Sequence, residues 1–146
     1  MKQIRVYTDG ACRGNPGPGG WGVVLKSRGH TRELLGAQEQ TTNNRMELQA
    51  AIEALGCLAE PCEVEVVTDS TYLQNGMQAW LADWKRKGWK TSTGKPVKNQ
   101  DLWQRLDALT TKHQVHWRWV RGHSGVEGNE RADTLANEAI ARMLDS

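Results

Sequence analysis

Four carboxylates stand where apolar patterning ends. Asp9 follows the alternating stretch QIRVYTD, in which Ile4, Val6 and Thr8 share one face of a strand that ends at Asp9. Asp69 closes the β-branched run CEVEVVTDS in the same way. Glu47 falls in the first turn of a helix read from TTNNRMELQAAIEALGCL, on the side of Ala51, Ala54 and Leu58. Asp133 sits beside Ala132, in line with Ala136 and Ile140, in a helix read from NERADTLANEAIARML. Each acid has an ordinary explanation. Glu47 complements a helix dipole, Asp9 before Gly10 suits a turn, Asp69 and Ser70 suit a helix cap, and Asp133 has Arg131 and Arg142 as possible partners. Together, four carboxylates converging without cations would repel, and the natural compensation is a hard divalent metal. Oxygen ligands without His or Cys favour Mg²⁺ or Mn²⁺ over Zn²⁺. Two such ions about 4 Å apart activate a water and stabilise the leaving oxygen in phosphodiester cleavage.

The elements that must position these acids follow from periodicity. After the first strand come two more in a meander, then the helix with Thr42 or Asn43 as its cap and Leu48, Ile52 and Leu55 as its stripe. The strand ending at Asp69 leads into a short helix, TYLQNGMQAWLADW, capped by Ser70. A basic loop, the helix NQDLWQRLDALTTKH, the strand QVHWRWV and the final helix complete the chain. Three strands in a meander followed by helix-linked strands predict an α/β fold with a mixed sheet, parallel where helices join the strands. Asp9 and Asp69 then lie on strands that could be neighbours, at the edge where open α/β sheets hold ligands.

Residues 17–22 match G-x-G-x-x-G, a phosphate-binding fingerprint that works only where a strand turns into a helix. Here Val23, Val24 and Leu25 follow, and Pro16 and Pro18 remove two backbone donors. The stretch reads instead as a glycine-rich connection between strands.

At 146 residues the chain suits one domain with a real core. No apolar run reaches the ~20 residues of a membrane helix, which predicts a cytoplasmic protein without a membrane partner. Cys12, Cys57 and Cys62 lack metal-ligand spacing and read as free thiols. The formal charge of +2 hides a local excess: six of the 19 Lys and Arg fall within 85–98 with no acid among them. A nucleic acid is the natural partner for that segment.

The stretches YTDGACRGNPGPGGWG, TTNNRMEL, VTDSTY, WKRKGWKTSTGKPVKNQDLW and WVRGHSGVEGNERADTLA, in this order, resemble the bacterial type 1 ribonucleases H over nearly the whole chain. The resemblance implies a ribonuclease H-like mixed five-stranded sheet, a three-stranded antiparallel meander plus parallel strands, with helices on both faces. It implies a single domain over residues 1–146, with a basic protrusion at about 80–98, and a monomer needing no protein partner. It implies endonucleolytic cleavage of the RNA strand of RNA–DNA hybrids, leaving 5′-phosphate and 3′-hydroxyl ends. Asp9, Glu47, Asp69 and Asp133 would bind two Mg²⁺ ions, for which Mn²⁺ substitutes, and His123 would assist proton transfer or product release. Cys12, Asn15, Asn43, Asn44 and Arg45 would contact the substrate; hybrid recognition needs short polar groups reaching a minor groove lined by 2′-hydroxyls, which Asn and backbone amides supply, and cations on phosphates. Trp80, Trp84, Lys85, Arg86, Lys87, Trp89 and Lys90 match the protrusion that grips the DNA strand, although Trp80 and Trp84, at i and i+4, equally fit packing. One departure is Thr71, where bacterial relatives tend to carry Gln. A hybrid-binding module that had lost catalysis would lack a carboxylate, and none is missing. A duplex-DNA nuclease on the same fold is disfavoured by the protrusion and the TTNNR patch.

Overall fold

In the computed structural model, which describes residues 1–122 and 126–146, the chain runs β1 (Lys2–Cys12), β2 (Gly17–Ser27), β3 (His30–Thr41), α1 (Asn43–Gly56), β4 (Cys62–Thr68), α2 (Thr71–Asn75), a π-helical turn (Gly76–Trp80), α3 (Leu81–Arg86), α4 (Gln100–Lys112), β5 (Gln114–Trp119) and α5 (Glu127–Asp145). The strands form one mixed sheet in the order β3-β2-β1-β4-β5. β1 and β2, and β2 and β3, pair antiparallel, whereas β4 lies parallel to both β1 and β5.

The period-2 alternation of strands divides the core between two faces. Val6, Val23, Val64 and Val66 face α1 and α4, where Leu48, Ile52, Leu55, Trp103 and Leu106 complete the larger cluster. Each fully buried Leu or Ile of the α1 stripe contributes about 1.5–3 kcal/mol. Tyr7, Val24 and Val67 face the other way, onto Ala132 and Leu135 of α5. The helices therefore cover both faces, as the resemblance implied.

Two elements differ from the sequence reading. β1 does not end at Asp9: it continues to Cys12, paired with β2 as far as Gly19, so Asp9 lies inside the strand opposite Gly22. The residues read as a glycine-rich connection are thus the body of β2. Their glycines serve packing, because a Cβ at Gly20 would overlap the Ala136 carbonyl oxygen, and one at Gly22 the Ala132 carbonyl oxygen. Absence of side chains lets the α5 backbone lie directly on the sheet. The second difference is in the helix after Asp69, which widens into a π turn at Gly76, where the backbone lies flat against the Trp103 ring.

Candidate active site

Parallel pairing of β1 with β4 ends at Tyr7 and Val67, so Asp9 and Asp69 occupy equivalent positions just beyond it on adjacent strands. By alternation both point toward the α5 side, where Tyr7 and Val67 also face. Asp133 meets them from the second turn of α5. Glu47 comes from α1 and opens its second turn rather than its first, because Thr42 is the cap: its hydroxyl accepts from the Arg45 amide at 3.2 Å. The dipole explanation of Glu47 weakens accordingly. Asp9, Glu47, Asp69 and Asp133 line one open pocket of about 400 Å³ together with Gly10, Asn43, Asn44, Thr71 and Tyr72. On its far side Asp9, Asp69 and Asp133 also border a smaller depression with Arg121, Asn129 and Glu130.

The sequence-level partners of Asp133 are engaged elsewhere. Arg131 makes a bidentate pair with Glu33, and Arg142 pairs with Glu138. Asp133 accepts instead from Asn137 Nδ2 at 3.2 Å.

Crowding shows in the protonation of the site. The Asp9 carboxyl is pushed up to about 8, first by burial, then by the charge on Asp69 and by its hydrogen bond and repulsion with Asp133; the Gly10 amide, 3.0 Å away, opposes this. Burial also raises Glu47, with Asp69 adding to the effect, while hydrogen bonds from Ser70 and Asn43 work against it. Among the described residues, no group of three or more His, Cys, Asp or Glu side chains is arranged to hold a metal ion. An open, oxygen-only set fits Mg²⁺, which keeps several waters and takes only one or two carboxylates from a protein.

The expected substrate residues differ in their relation to this pocket, and Cys12, Asn15 and Arg45 stand outside its lining. Asn43 and Asn44 line it. Asn15 Oδ1 accepts from the Asn43 amide at 3.1 Å, tying the β1–β2 loop to the start of α1, and Cys12 Sγ lies 3.5 Å from the Thr41 carbonyl. Arg45 makes a bidentate pair with Asp101 (3.0 and 2.8 Å) and also donates to Asn99 Oδ1 at 3.2 Å, so contact with a phosphate would compete with that pair.

The basic segment is less free than its composition implied. Lys85 pairs with Asp107 at 3.3 Å, and Arg86 and Lys87 both pair with Asp83. Lys90, Lys95 and Lys98 make no ion pair among the described residues. Trp84 is packed: its ring centroid lies 5.7 Å from Trp80, 6.3 Å from Trp89 and 5.4 Å from Trp103. Trp80, 36% exposed, is the more available ring. His123 lies outside the described residues.

Sequence reading did not single out Tyr72, Asn99, Asp101 or Arg121. Tyr72 OH accepts from Asn99 Nδ2 at 3.1 Å and Trp103 Nε1 at 2.9 Å, linking the pocket wall to α4. These partners are separated by 27 and 31 residues, so no local spacing betrays them. Arg121 carried one signal, its place in the WVRGHSG stretch.

A model of the RNase H family matches residues 1–141. The chain is 61% identical to the ribonuclease H of Alkalilimnicola ehrlichii, over 97% of each chain. It is 58% identical to that of Cupriavidus metallidurans, over 98% of this chain and 99% of the relative. Its fold is similar to LC9-RNase H1, described as a type 1 RNase H with the type 2 active-site motif (TM-score 0.87, 38% identity, covering 97% of this chain and 74% of that one). It is also similar to LC11-RNase H1 in complex with an RNA/DNA hybrid (TM-score 0.73, 32% identity, covering 97% and 99%). Agreement along nearly the full length, in sequence and in fold, shows that this chain belongs to the ribonuclease H family of hydrolases.

Proposed function

We propose that this chain is a Mg²⁺-dependent endoribonuclease that hydrolyses the RNA strand of RNA–DNA hybrids and leaves 5′-phosphate and 3′-hydroxyl ends. The observation that carries the reading is the convergence of Asp9, Glu47, Asp69 and Asp133 on one pocket bordered by Asn43 and Asn44. When bound, two Mg²⁺ ions, or Mn²⁺ in their place, supply an activated water and charge stabilisation for the leaving oxygen. Asp9, Glu47, Asp69 and Asp133 hold the ions; their crowding without metal is what makes a cation welcome.

Asn43, Asn44, Asn15 and Cys12 present short polar groups to the minor groove, where 2′-hydroxyls mark the RNA strand. Arg45 contributes once released from Asp101. Trp80, Lys85, Arg86, Lys87 and Lys90 follow the DNA strand, with Trp84 and Trp89 holding that surface in place. The whole of residues 1–146 acts as one domain and as a monomer, in the cytoplasm; no helix among the described residues is long and apolar enough to cross a membrane.

The test is cleavage of labelled RNA–DNA hybrid, double-stranded RNA and double-stranded DNA in Mg²⁺. Hybrid cleavage alone is expected, and duplex-DNA cleavage without hybrid cleavage would revive the alternative nuclease. His123 is assigned a proton-transfer or product-release role in this reaction, so His123→Ala should lower kcat by roughly 10²-fold with KM little changed. An unaltered kcat in steady-state assays refutes that assignment.

Replacing Lys85, Arg86 and Lys87 together by Ala should raise KM more than it lowers kcat. Three freely solvated cations would change the slope of log K against log[salt] by nearly three. Because all three already have acidic partners, a change of about 1–2 is expected. Binding measured from 50 to 300 mM salt with an unchanged slope would show that the hybrid lies elsewhere.

A further inference from the structure

Glu47 is held by two side-chain donors, one for each carboxylate oxygen. Asn43 Nδ2, one helical turn back on α1, donates to Oε1 at 3.1 Å, and Ser70 Oγ donates to Oε2. Ser70 is 3% exposed and its hydroxyl has a second task. It accepts from the Leu73 amide at 3.1 Å, which makes Ser70 the cap of α2. A hydroxyl has one proton and two lone pairs. With an amide N–H already pointing at its oxygen, the Ser70 proton is directed away from the backbone and onto Glu47. The residue's own position is set from β4, since the Ser70 amide donates to Thr68 Oγ1 at 3.2 Å.

The chain of bonds thus runs from the last residue of β4, through the cap of α2, to a carboxylate on α1. Asp69 lies within it, between Thr68 and Ser70. We propose that Ser70 is a positioning residue: it fixes the Glu47 carboxylate so that the lone pairs not used by Ser70 and Asn43 face the pocket for a divalent cation. This rests on the metal-dependent reading above. Capping alone would explain the Leu73 bond but not the donation to Glu47. Neighbouring groups that hold a ligand in this way are typically worth about 10–100-fold in metal affinity.

The experiment separates the two roles. Glycine is nearly as good a cap as serine, costing only a few tenths of a kcal/mol, whereas alanine is poor; neither donates a hydrogen bond, and threonine keeps the hydroxyl. Mg²⁺ dissociation constants would be measured by NMR titration of the hybrid-free protein at fixed pH for the unmodified chain and for Ser70→Gly, Ser70→Ala and Ser70→Thr, alongside thermal melts in chelator. Expected is about tenfold weaker Mg²⁺ binding for both Ser70→Gly and Ser70→Ala, despite their different stabilities, with recovery in Ser70→Thr. Asn43→Ala, which removes the other donor without touching the cap, should weaken binding in the same direction. Mg²⁺ affinity within twofold of the unmodified chain in folded Ser70→Gly would overturn the assignment, as would losses that track melting temperature alone. Failure of the unmodified protein to bind Mg²⁺ at all would instead overturn the proposed function, and this assignment with it.

Discussion

Replacing Asp9 by Asn is expected to abolish hybrid cleavage and, at the same time, to make the metal-free protein more stable at pH 8. Loss of one ligand removes several kcal/mol of transition-state stabilisation, roughly 10³-fold or more in rate. The gain in stability follows from protonation. In the folded chain the Asp9 carboxyl holds its proton up to about 8, against an ordinary value of 3.8. Between those limits the folded state binds a proton that the unfolded state has released. Stability of the metal-free protein therefore falls as pH rises through that window and levels off above it. Asparagine keeps the shape without the charge, so the Asp9→Asn protein should match the unmodified one near pH 4 and exceed it by about 1–3 kcal/mol at pH 8. Urea melts in chelator at the two pH values measure the difference. Equal stability at pH 8, or retained cleavage, would contradict the picture of a crowded site relieved by metal. Added Mg²⁺ should stabilise the unmodified protein most at the alkaline end, where binding it displaces no proton from Asp9.

Gly22→Ala should be among the most damaging small substitutions in the chain. The added Cβ would overlap the Ala132 carbonyl oxygen and crowd Leu135 Cβ and the Ala136 amide at 2.8 and 2.9 Å. The oxygen and the amide nitrogen are backbone atoms, so no flexible side chain can yield and α5 must lift from the sheet. A cost of about 3 kcal/mol is expected, at the upper end for an overpacked core. Asp133 is carried on the displaced turn, so kcat should fall as well. Gly29→Ala provides the contrast: nothing lies within 4 Å of its added Cβ, and only its positive φ of 80° is penalised. A Gly22→Ala protein within 1 kcal/mol of the unmodified chain in denaturant melts would show that α5 does not depend on the bare β2 surface.

The carboxylates were legible in the sequence because each stands at the margin of a strong apolar period, and a period places a side chain on a face whatever the details. The mixed sheet was legible for the same reason. β1 beyond Asp9 and the start of β2 were not, since Gly10, Gly17, Gly19, Gly20 and Gly22 present no side chains whose alternation could be read. What surrounds them is distant in sequence: Gly20 and Gly22 lie against α5, more than a hundred residues away, and Gly10 lies against Met46 and Glu47 of α1. Long-range pairs were invisible likewise: nothing near Arg45 announces Asp101, and the cations at 85–87 read as unopposed because Asp83 and Asp107 fall outside the run. Thr71 remains as the sequence presented it, a short side chain on the rim of the carboxylate pocket.

The packing of the indoles has an optical consequence. Of the seven Trp residues, Trp80, Trp84, Trp89 and Trp103 form one connected set, Trp117 and Trp119 are stacked 5.3 Å apart with their planes inclined by 6°, and Trp21 sits apart on β2. At such separations excited indoles share their energy, so near-ultraviolet circular dichroism should carry coupled bands and emission should be funnelled to the lowest-energy ring of each set. Four of the seven indoles belong to the set that reaches, through Trp80, the surface proposed to meet the DNA strand. An unlabelled chain would then report its own encounters with nucleic acid through quenching that begins at Trp80.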